Sequence, residues 1–498
     1  MLAALAVAAA GGGPGGGRFK VEPLAAPGDV FAVVAADLDG DGRKDVLAAY
    51  TTGVPPYQRR FLAVFWNRNG LFAPRPDVVL PVPDDEICAF DTGAVDDGPG
   101  ESLLFVTPHG VSAQSLRGRS PGPTRPLLAQ ATLFRQPIPG ELPRVHLVHD
   151  LAAPGSHELL VPSLGSLWIW KRGPAGYAKA AQVEVDMDAG MRGAGKRAVA
   201  RGERSIPPIG VTYGFPALHL ADTDGDGLLD LVATQEDRVA IYRQGAGLAF
   251  RPQPDFTRDF TVRTPEEHRE KGGNATVLVR DLDGDGIADL VVRKQVFEGI
   301  ASATTSLYVF FGKKGGGYAK EPAQIIQSEG VGPLETQLID LTGDGHPDLL
   351  VPSMSFGVFA FVRVLTTKTV KLVFQIFPFE PALRKFAAAP IAERELKFRL
   401  SLSGDFDLQA VDFTGDYDGD KKPDLAFGTG EEELSIFLSK GASRVVAEEA
   451  AEEVPARAFG VLEPVDLDGK GRSDILLHFP STKGHRSEIV VLVNTGPW

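Results

Sequence analysis

Short apolar runs recur along the chain, and each is interrupted by an acidic, glycine-bearing loop. Residues 31–34, 275–279 and 336–339 are such runs. A second run starts directly after the loop, at 46–48, 290–292 and 349–351. A third is rich in aromatic and β-branched residues, at 62–66, 167–170, 239–242, 307–311 and 434–438. These are strand compositions. A glycine-containing hairpin then leads toward a short fourth strand, read at 68–72, 176–178 and 315–320.

This order repeats. Acidic loops, intact or decayed, begin near Asp37, Asp91, Asp150, Asp222, Asp281, Asp340, Asp416 and Asp466, with spacings of 54, 59, 72, 59, 59, 76 and 50 residues. Eight units of four short antiparallel strands, repeated radially, predict an all-β fold, a β-propeller of four-stranded blades. Seven blades is the alternative, because the units at Asp91 and Asp150 are degenerate. The last unit stops after its third strand at 488–493. Residues 15–23 resemble 315–322, so an N-terminal strand is expected to complete the last blade and remove two exposed edges. Residues 1–17 read as a flexible leader or signal-peptide remnant and 18–498 as one propeller. Insertions are expected near 183–212, with an exposed Gly/Arg-rich loop at 190–204, and near 365–403. The latter holds a strand at 368–374 and a partly helical stretch at 381–400.

The loops carry the chemistry. Their pattern is D-x-D-G-D-G-x-x-D, and four loops supply all four aspartates. These are Asp37, Asp39, Asp41, Asp45; Asp222, Asp224, Asp226, Asp230; Asp281, Asp283, Asp285, Asp289; and Asp416, Asp418, Asp420, Asp424. Counting the first aspartate as position 1, side chains at 1, 3 and 5 point inward, the position 7 carbonyl adds an oxygen and position 9 closes the shell. Carboxylates this dense repel one another unless a cation sits among them, and hard oxygen ligands suit Ca²⁺. The loop at Asp340, Asp344 and Asp348 has Thr342 at position 3, a weaker neutral ligand. The loop at Asp466, Asp468 and Asp474 has Lys470 at position 5, which could replace the ion. No metal is expected at Asp91 or at Asp150, where Glu158 stands at position 9. An EF-hand is excluded, since position 12 falls on Ala48, Ala233, Val292 or Phe427 in β-type runs. About four to six Ca²⁺ ions are expected.

The chain resembles the FG-GAP/VCBS repeat proteins, whose β-propellers include the head of integrin α subunits. The resemblance rests on the aspartate pattern followed by a Leu-Val type strand, and it covers nearly the whole chain from about residue 18. In that family the calcium loop joins the first and second strands of a blade. The resemblance therefore implies that Asp37, Asp39, Asp41, Asp45 and their equivalents bind Ca²⁺. The name-giving F-G and G-A-P sequences are poorly kept, and Phe356-Gly357 is a weak echo. Integrin heads have seven blades, against eight counted here.

Composition narrows the function. Of 498 residues, 57 are Gly and 38 Pro, which favours turns over long helices. A net charge of −14 argues against nucleic-acid binding. Cys88 is the single cysteine, so an internal disulfide and zinc-thiolate chemistry are excluded. The apolar run at 2–10 lacks a basic flank and is too short to span a bilayer. A secreted, periplasmic or cell-surface location is expected, with an incomplete export signal and no membrane span. No H-E-x-x-H, G-x-S-x-G or P-loop pattern occurs, and no enzyme activity is expected. His146 and His149 read as strand histidines, and Trp168 and Trp170 as packing between blades. The expected function is a monomeric adhesion or interaction module for a protein or carbohydrate ligand. The alternatives are a lyase or hydrolase site at the central channel, or an envelope scaffold.

Overall fold

The computed structural model describes residues 17–55, 57–135, 140–192, 210–297, 303–330, 334–354, 366–367, 369–399, 409–441 and 445–498. It is a propeller of eight four-stranded antiparallel sheets. Blade 1 runs Asp29–Ala36, Asp45–Thr52, Arg59–Phe65 and Val78–Pro81. Blades 2, 3 and 4 begin at Ala89–Gly93, Val148–His149 and Ala217–Ala221. Blades 5, 6 and 7 begin at Gly272–Arg280, Gln337–Ile339 and Val411–Asp412. Blade 8 takes Val461–Val465, Asp474–His478 and Glu488–Asn494 from the end of the chain and Phe19–Ala25 from the start. First strands of neighbouring blades touch one another, as Gly272–Arg280 does with Ala217–Ala221 and Gln337–Ile339, so the first strands are innermost.

Blades stack face to face, which explains why the second strands read as continuous apolar runs instead of alternating ones. In Asp45–Thr52 only the last residue is not fully buried. Its Leu47 and Ala49 pack toward blade 2 with Phe90, Leu103 and Phe105, while Val46, Ala48 and Tyr50 pack toward blade 8 with Leu476, Ile489 and Val491.

The ring closes where expected. Phe19–Ala25 pairs with the last strand from Phe19↔Asn494 to Ala25↔Glu488. Phe19 meets Tyr417 and Trp498 edge-on, with centroids 6.0 and 5.9 Å apart. Arg18 reaches blade 7, pairing with Glu452 at 3.1 Å.

Several expected elements differ in detail. The fourth strands of blades 1 and 5 are Val78–Pro81 and Gln324–Glu329. Residues 68–72 instead form a turn, closed by the Arg68 amide donating to the Leu71 carbonyl at 2.9 Å, and 315–320 likewise precede the strand. The stretch 365–403 contains the third and fourth strands of blade 6, Thr369–Phe377 and Ala392–Arg399, joined by a 3-10 turn at Pro381–Leu383. The expected partial helix at 381–400 is thus a turn and a strand. Between blades 3 and 4 a hairpin pairs Asp188–Arg192 with Gly210–Gly214. Residues 193–204 of the expected Gly/Arg loop, residues 1–16 of the leader, and Phe356-Gly357 lie outside the described residues. Among the described residues no helix is long and apolar enough to cross a membrane.

Candidate metal-binding loops

Each acidic loop joins the first and second strands of its blade, and the same position 1 hydrogen bonds build all six. The position 1 carboxylate accepts the position 4 amide through one oxygen, at 2.9 Å in Asp37 and 2.7 Å in Asp222, Asp340, Asp416 and Asp466. Its other oxygen accepts the position 6 amide, at 2.8–3.0 Å. In the four loops with all four aspartates position 3 accepts from position 5, and position 5 from position 7; the Asp340 loop keeps only the second of these bonds and the Asp466 loop only the first. Carboxylates are thereby folded over the turn by their own backbone. Positions 4 and 6 hold left-handed backbone, φ +83 and +86 for Gly40 and Gly42, which glycine adopts most readily. Lys421 takes position 6 of the blade 7 loop at φ 69, a departure from the glycine pattern that the loop accommodates.

Position 9 does a different job. Asp45 is fully buried and accepts the Leu38 amide at 3.1 Å and the Asn67 amide at 2.8 Å. The same pair of bonds recurs at Asp230, Asp289, Asp348, Asp424 and Asp474. This carboxylate ties its own loop to the end of the third strand. Burial pushes Asp45, Asp289 and Asp424 up to about 7, and Asp348 and Asp474 to about 6, against the lowering effect of those amides. Asp230 is also raised by burial.

Consecutive loops interlock. The position 1 carbonyl accepts the amide of the residue just before the second strand of the next blade, from Glu101 to Asp37 at 2.6 Å, Ala288 to Asp222 at 2.7 Å and Ser473 to Asp416 at 2.6 Å. A Cβ on Gly225 would lie 3.2 Å from Ile287, and one on Gly419 would lie 3.1 Å from Arg472, each at position 7 of the following loop. Glycine at position 4 therefore serves close approach as well as turn geometry.

Five loops bring three carboxylates together, with one oxygen of each within 4.8 Å of the others. The groups are Asp37, Asp39, Asp41; Asp222, Asp224, Asp230; Asp281, Asp283, Asp285; Asp416, Asp418, Asp424; and Asp466, Asp468, Asp474. The donor set fits a hard divalent cation such as Ca²⁺. Asp45 and Asp289 point into their blades and stand outside their groups, as do Asp226 and Asp420, the latter paired with Lys422 at 2.8 Å. Asp340, Asp344 and Asp348 keep the loop bonds but do not form such a group among the described residues. The loop at Asp466 does form one, even though Lys470 lies 2.6 Å from Asp468.

The decayed loops keep the scaffold. Glu158 keeps the loop half of the position 9 role with one added methylene, accepting the Leu151 amide at 2.9 Å and the Ala152 amide at 3.2 Å. Asp91 lies within the first strand of blade 2, buried, and accepts the Leu147 amide at 2.8 Å. That amide belongs to the approach to blade 3, so Asp91 joins two blades and does not open a loop.

Substituting Asp289 by Ala should strip acceptors from two buried amides, Leu282 and Gly312. Urea denaturation without divalent ions should show a loss of about 3 kcal/mol, while the exposed Asp285→Ala should change stability by about 0.5 kcal/mol or less. Equal losses would refute the division of roles.

Residues 222–292 and 281–351 match the family model described as an FG-GAP-like repeat. Blades 4 to 6 carry FG-GAP-like repeats. The eight-bladed ring agrees with an FG-GAP repeat propeller. Among curated proteins none matches the chain in sequence. Solved structures that resemble it include an Agrocybe aegerita lectin that recognises non-reducing terminal N-acetylglucosamine. It is 15% identical, with 94% of this chain and 86% of that chain covered and a TM-score of 0.36. Sqt1 from Chaetomium thermophilum is 12% identical over 96% of this chain and 100% of its own, with a TM-score of 0.45. Sqt1 bound to the N-terminus of ribosomal protein L10 is 13% identical over 94% and 97%, with a TM-score of 0.42.

A second cluster carries no sequence motif. Glu101, just before the second strand of blade 2, is raised by burial, with Arg144 and Lys44 near enough to oppose the shift. Glu463, on the innermost strand of blade 8, is raised by burial too, opposed by Arg144, Lys44 and His146. Arg144 also lies 3.4 Å from Asp91. Sequence reading had singled out only His146 of this group, because its members come from four blades.

Proposed function

We propose that this FG-GAP-like propeller is an exported interaction module whose blade loops are set by Ca²⁺ and whose faces bind a protein or glycan. The observation that carries the reading is the set of five three-carboxylate groups, each in phase with a blade. Asp37, Asp39 and Asp41 would hold the ion in blade 1, and the corresponding groups would hold it in blades 4, 5, 7 and 8. The ion supplies charge neutralisation among carboxylates that otherwise repel. The loops are thus blade elements, and recognition falls to the faces and the hairpin between blades 3 and 4.

Calorimetric titration of ion-free protein with Ca²⁺ should give about five sites with affinities on the order of 10⁻⁴–10⁻³ M, matched to extracellular calcium. Asp222→Asn should remove one site and leave the rest. No heat of binding would overturn the calcium reading. Fractionation of the source cells tests export, and a glycan and surface-protein screen with and without Ca²⁺ tests recognition.

The enzymatic reading draws on the Glu101, Glu463, Arg144, Lys44 and His146 group, where burial raises two carboxyls that lie beside cations. Under it, Glu463→Gln abolishes turnover of a polysaccharide or ester substrate without altering Ca²⁺ binding.

A further inference from the structure

Two arginines make the same unusual approach in unrelated sequence contexts. Arg119 lies in blade 2, in the 3-10 turn Arg117–Arg119 between the third and fourth strands. Arg384 lies in blade 6, just after the 3-10 turn Pro381–Leu383 in the same connection. Both hold left-handed backbone, φ 66 and 47, which non-glycine residues rarely adopt. Each reaches back to the acidic loop of the preceding blade. Arg119 Nε is 2.7 Å from Asp39 and its Nη2 is 3.4 Å from Asp41. Arg384 Nη2 contacts Asp283 and lies 3.6 Å from Asp285. Those are positions 3 and 5 in both loops.

The stems of the approach match as well. Arg119 lies over Trp66, 5.9 Å from the ring centroid, and Arg384 lies over Phe311 at 4.7 Å. Trp66 and Phe311 occupy the same place, the residue after the third strand of the blade whose loop is contacted. An aromatic ring thus supports each guanidinium from below while two carboxylates receive it from the side.

We propose that Arg119 and Arg384 are cross-blade counter-cations that compete with the divalent ion for positions 3 and 5 of the loops in blades 1 and 5. This rests on the calcium reading above. A guanidinium and a divalent ion cannot share these oxygens without repulsion, so ion entry releases the arginine from the carboxylates. The aromatic ring keeps it at the seam. Loops 1 and 5 are then exchangeable sites, and ion occupancy there is coupled to the seam with the next blade. The blade 4 loop differs: its arginine contact comes from its own blade alone, Arg243 at 3.5 Å from Asp224, and the next blade contributes a backbone amide, Gly315 to the Asp224 carbonyl at 2.7 Å, whereas in blade 1 the loop's own Arg43 contacts Asp41 beside Arg119.

The test uses Tb³⁺ as a luminescent stand-in for Ca²⁺ on the full chain, with Trp66 as the sensitiser beside the blade 1 loop. The emission component removed by Asp37→Asn reports that loop. Arg119→Gln should move its midpoint to roughly three- to tenfold lower Tb³⁺, the scale of one partly exposed ion pair. Arg119→Lys, which keeps the charge, should stay near wild type. Should Arg119→Gln fold poorly, Arg384→Gln repeats the test in blade 5 by calorimetry. An unchanged or higher midpoint in a folded arginine variant overturns the proposal, because it makes the arginine a prop and not a competitor. If that component is absent from both wild type and variant while calorimetry finds ions in other loops, the proposal fails and the calcium reading stands. If no loop binds an ion, both fail.

Discussion

Removal of residues 17–25 is expected to abolish the cooperative melting of the ring and leave a species that self-associates. The strand Phe19–Ala25 supplies the fourth strand of blade 8, paired along its whole length with Glu488–Asn494. Without it, that blade ends on a seven-residue edge with unpaired amides and carbonyls, open to strand addition. The strand also buries Phe19 and Leu24, at 8% and 3% exposure, so its loss uncovers Tyr417 and Ile489 beneath them. Leu24→Ala alone should cost about 2–5 kcal/mol. Differential scanning calorimetry and size-exclusion chromatography of the truncated chain read the effect. A synthetic peptide of residues 17–27 added in trans should restore the transition. A truncated chain that melts as a monomer at the wild-type temperature would show that the closure is dispensable.

Stripping divalent ions should lower the melting temperature, and the ion-free protein should be more stable at pH 5 than at pH 8. An ion that binds only the folded ring adds about 2.7 kcal/mol per site at a hundredfold excess over Kd, so several loops together move the transition by many degrees. The pH sign follows from the closing carboxylates. Asp45, Asp289 and Asp424 are pushed up to about 7, and Asp348 and Asp474 to about 6, from a usual value of 3.8. Between about pH 4 and 7 the folded chain therefore binds more protons at these groups than the unfolded chain. Their contribution is complete below the unfolded value and is lost as pH rises through 6 to 7. His478, lowered by burial to about 4, and His219, also lowered by burial, act in the opposite direction below 6.5, as two groups against five. Calcium favours ionised carboxylates, so at millimolar Ca²⁺ the fall toward pH 8 should flatten. Thermal melts across pH 5–8 in resin-treated buffer, with and without Ca²⁺, measure both effects. A curve that rises toward pH 8 without ions would contradict the burial of these groups.

Much of the ring was legible because its signals are local. D-x-D-G-D-G-x-x-D sets a turn from side chain-to-backbone bonds no more than seven residues apart, such as Gly42 to Asp37 and Leu38 to Asp45. The strands on either side follow from their β-branched content. Even degenerate units kept their place, since Glu158 still reaches the Leu151 amide. Closure was legible from the missing fourth strand at the end of the chain, although its nearest sequence match, 315–322, proved to be a turn before the blade 5 strand Gln324–Glu329. Turn glycines are easier to align than the short, exposed fourth strands, whose pattern is set by a single neighbour. The same weakness made 365–403 read as an insertion, when Thr369–Phe377 and Ala392–Arg399 complete blade 6.

By itself the sequence determined the architecture: the phase of the acidic loops, the eight repeating units that the ring turns into eight blades and not seven, the strand that closes them, and which carboxylates lie within one turn. Those properties depend on residues near one another in the chain. Only the tertiary structure decided how the carboxylates divide their work. Position 9 meets the end of the third strand in all six loops, yet it stands outside the carboxylate group in blades 1 and 5 and joins it in blades 4, 7 and 8, where Asp466, Asp468 and Asp474 converge despite Lys470. It alone placed Arg119 on a carboxylate 80 residues away and drew Glu101, Arg144 and Glu463 toward one another from separate blades. These contacts form only when blades stack. The pairings across a seam are set by ring closure and interblade packing, and no local spacing in the chain encodes them.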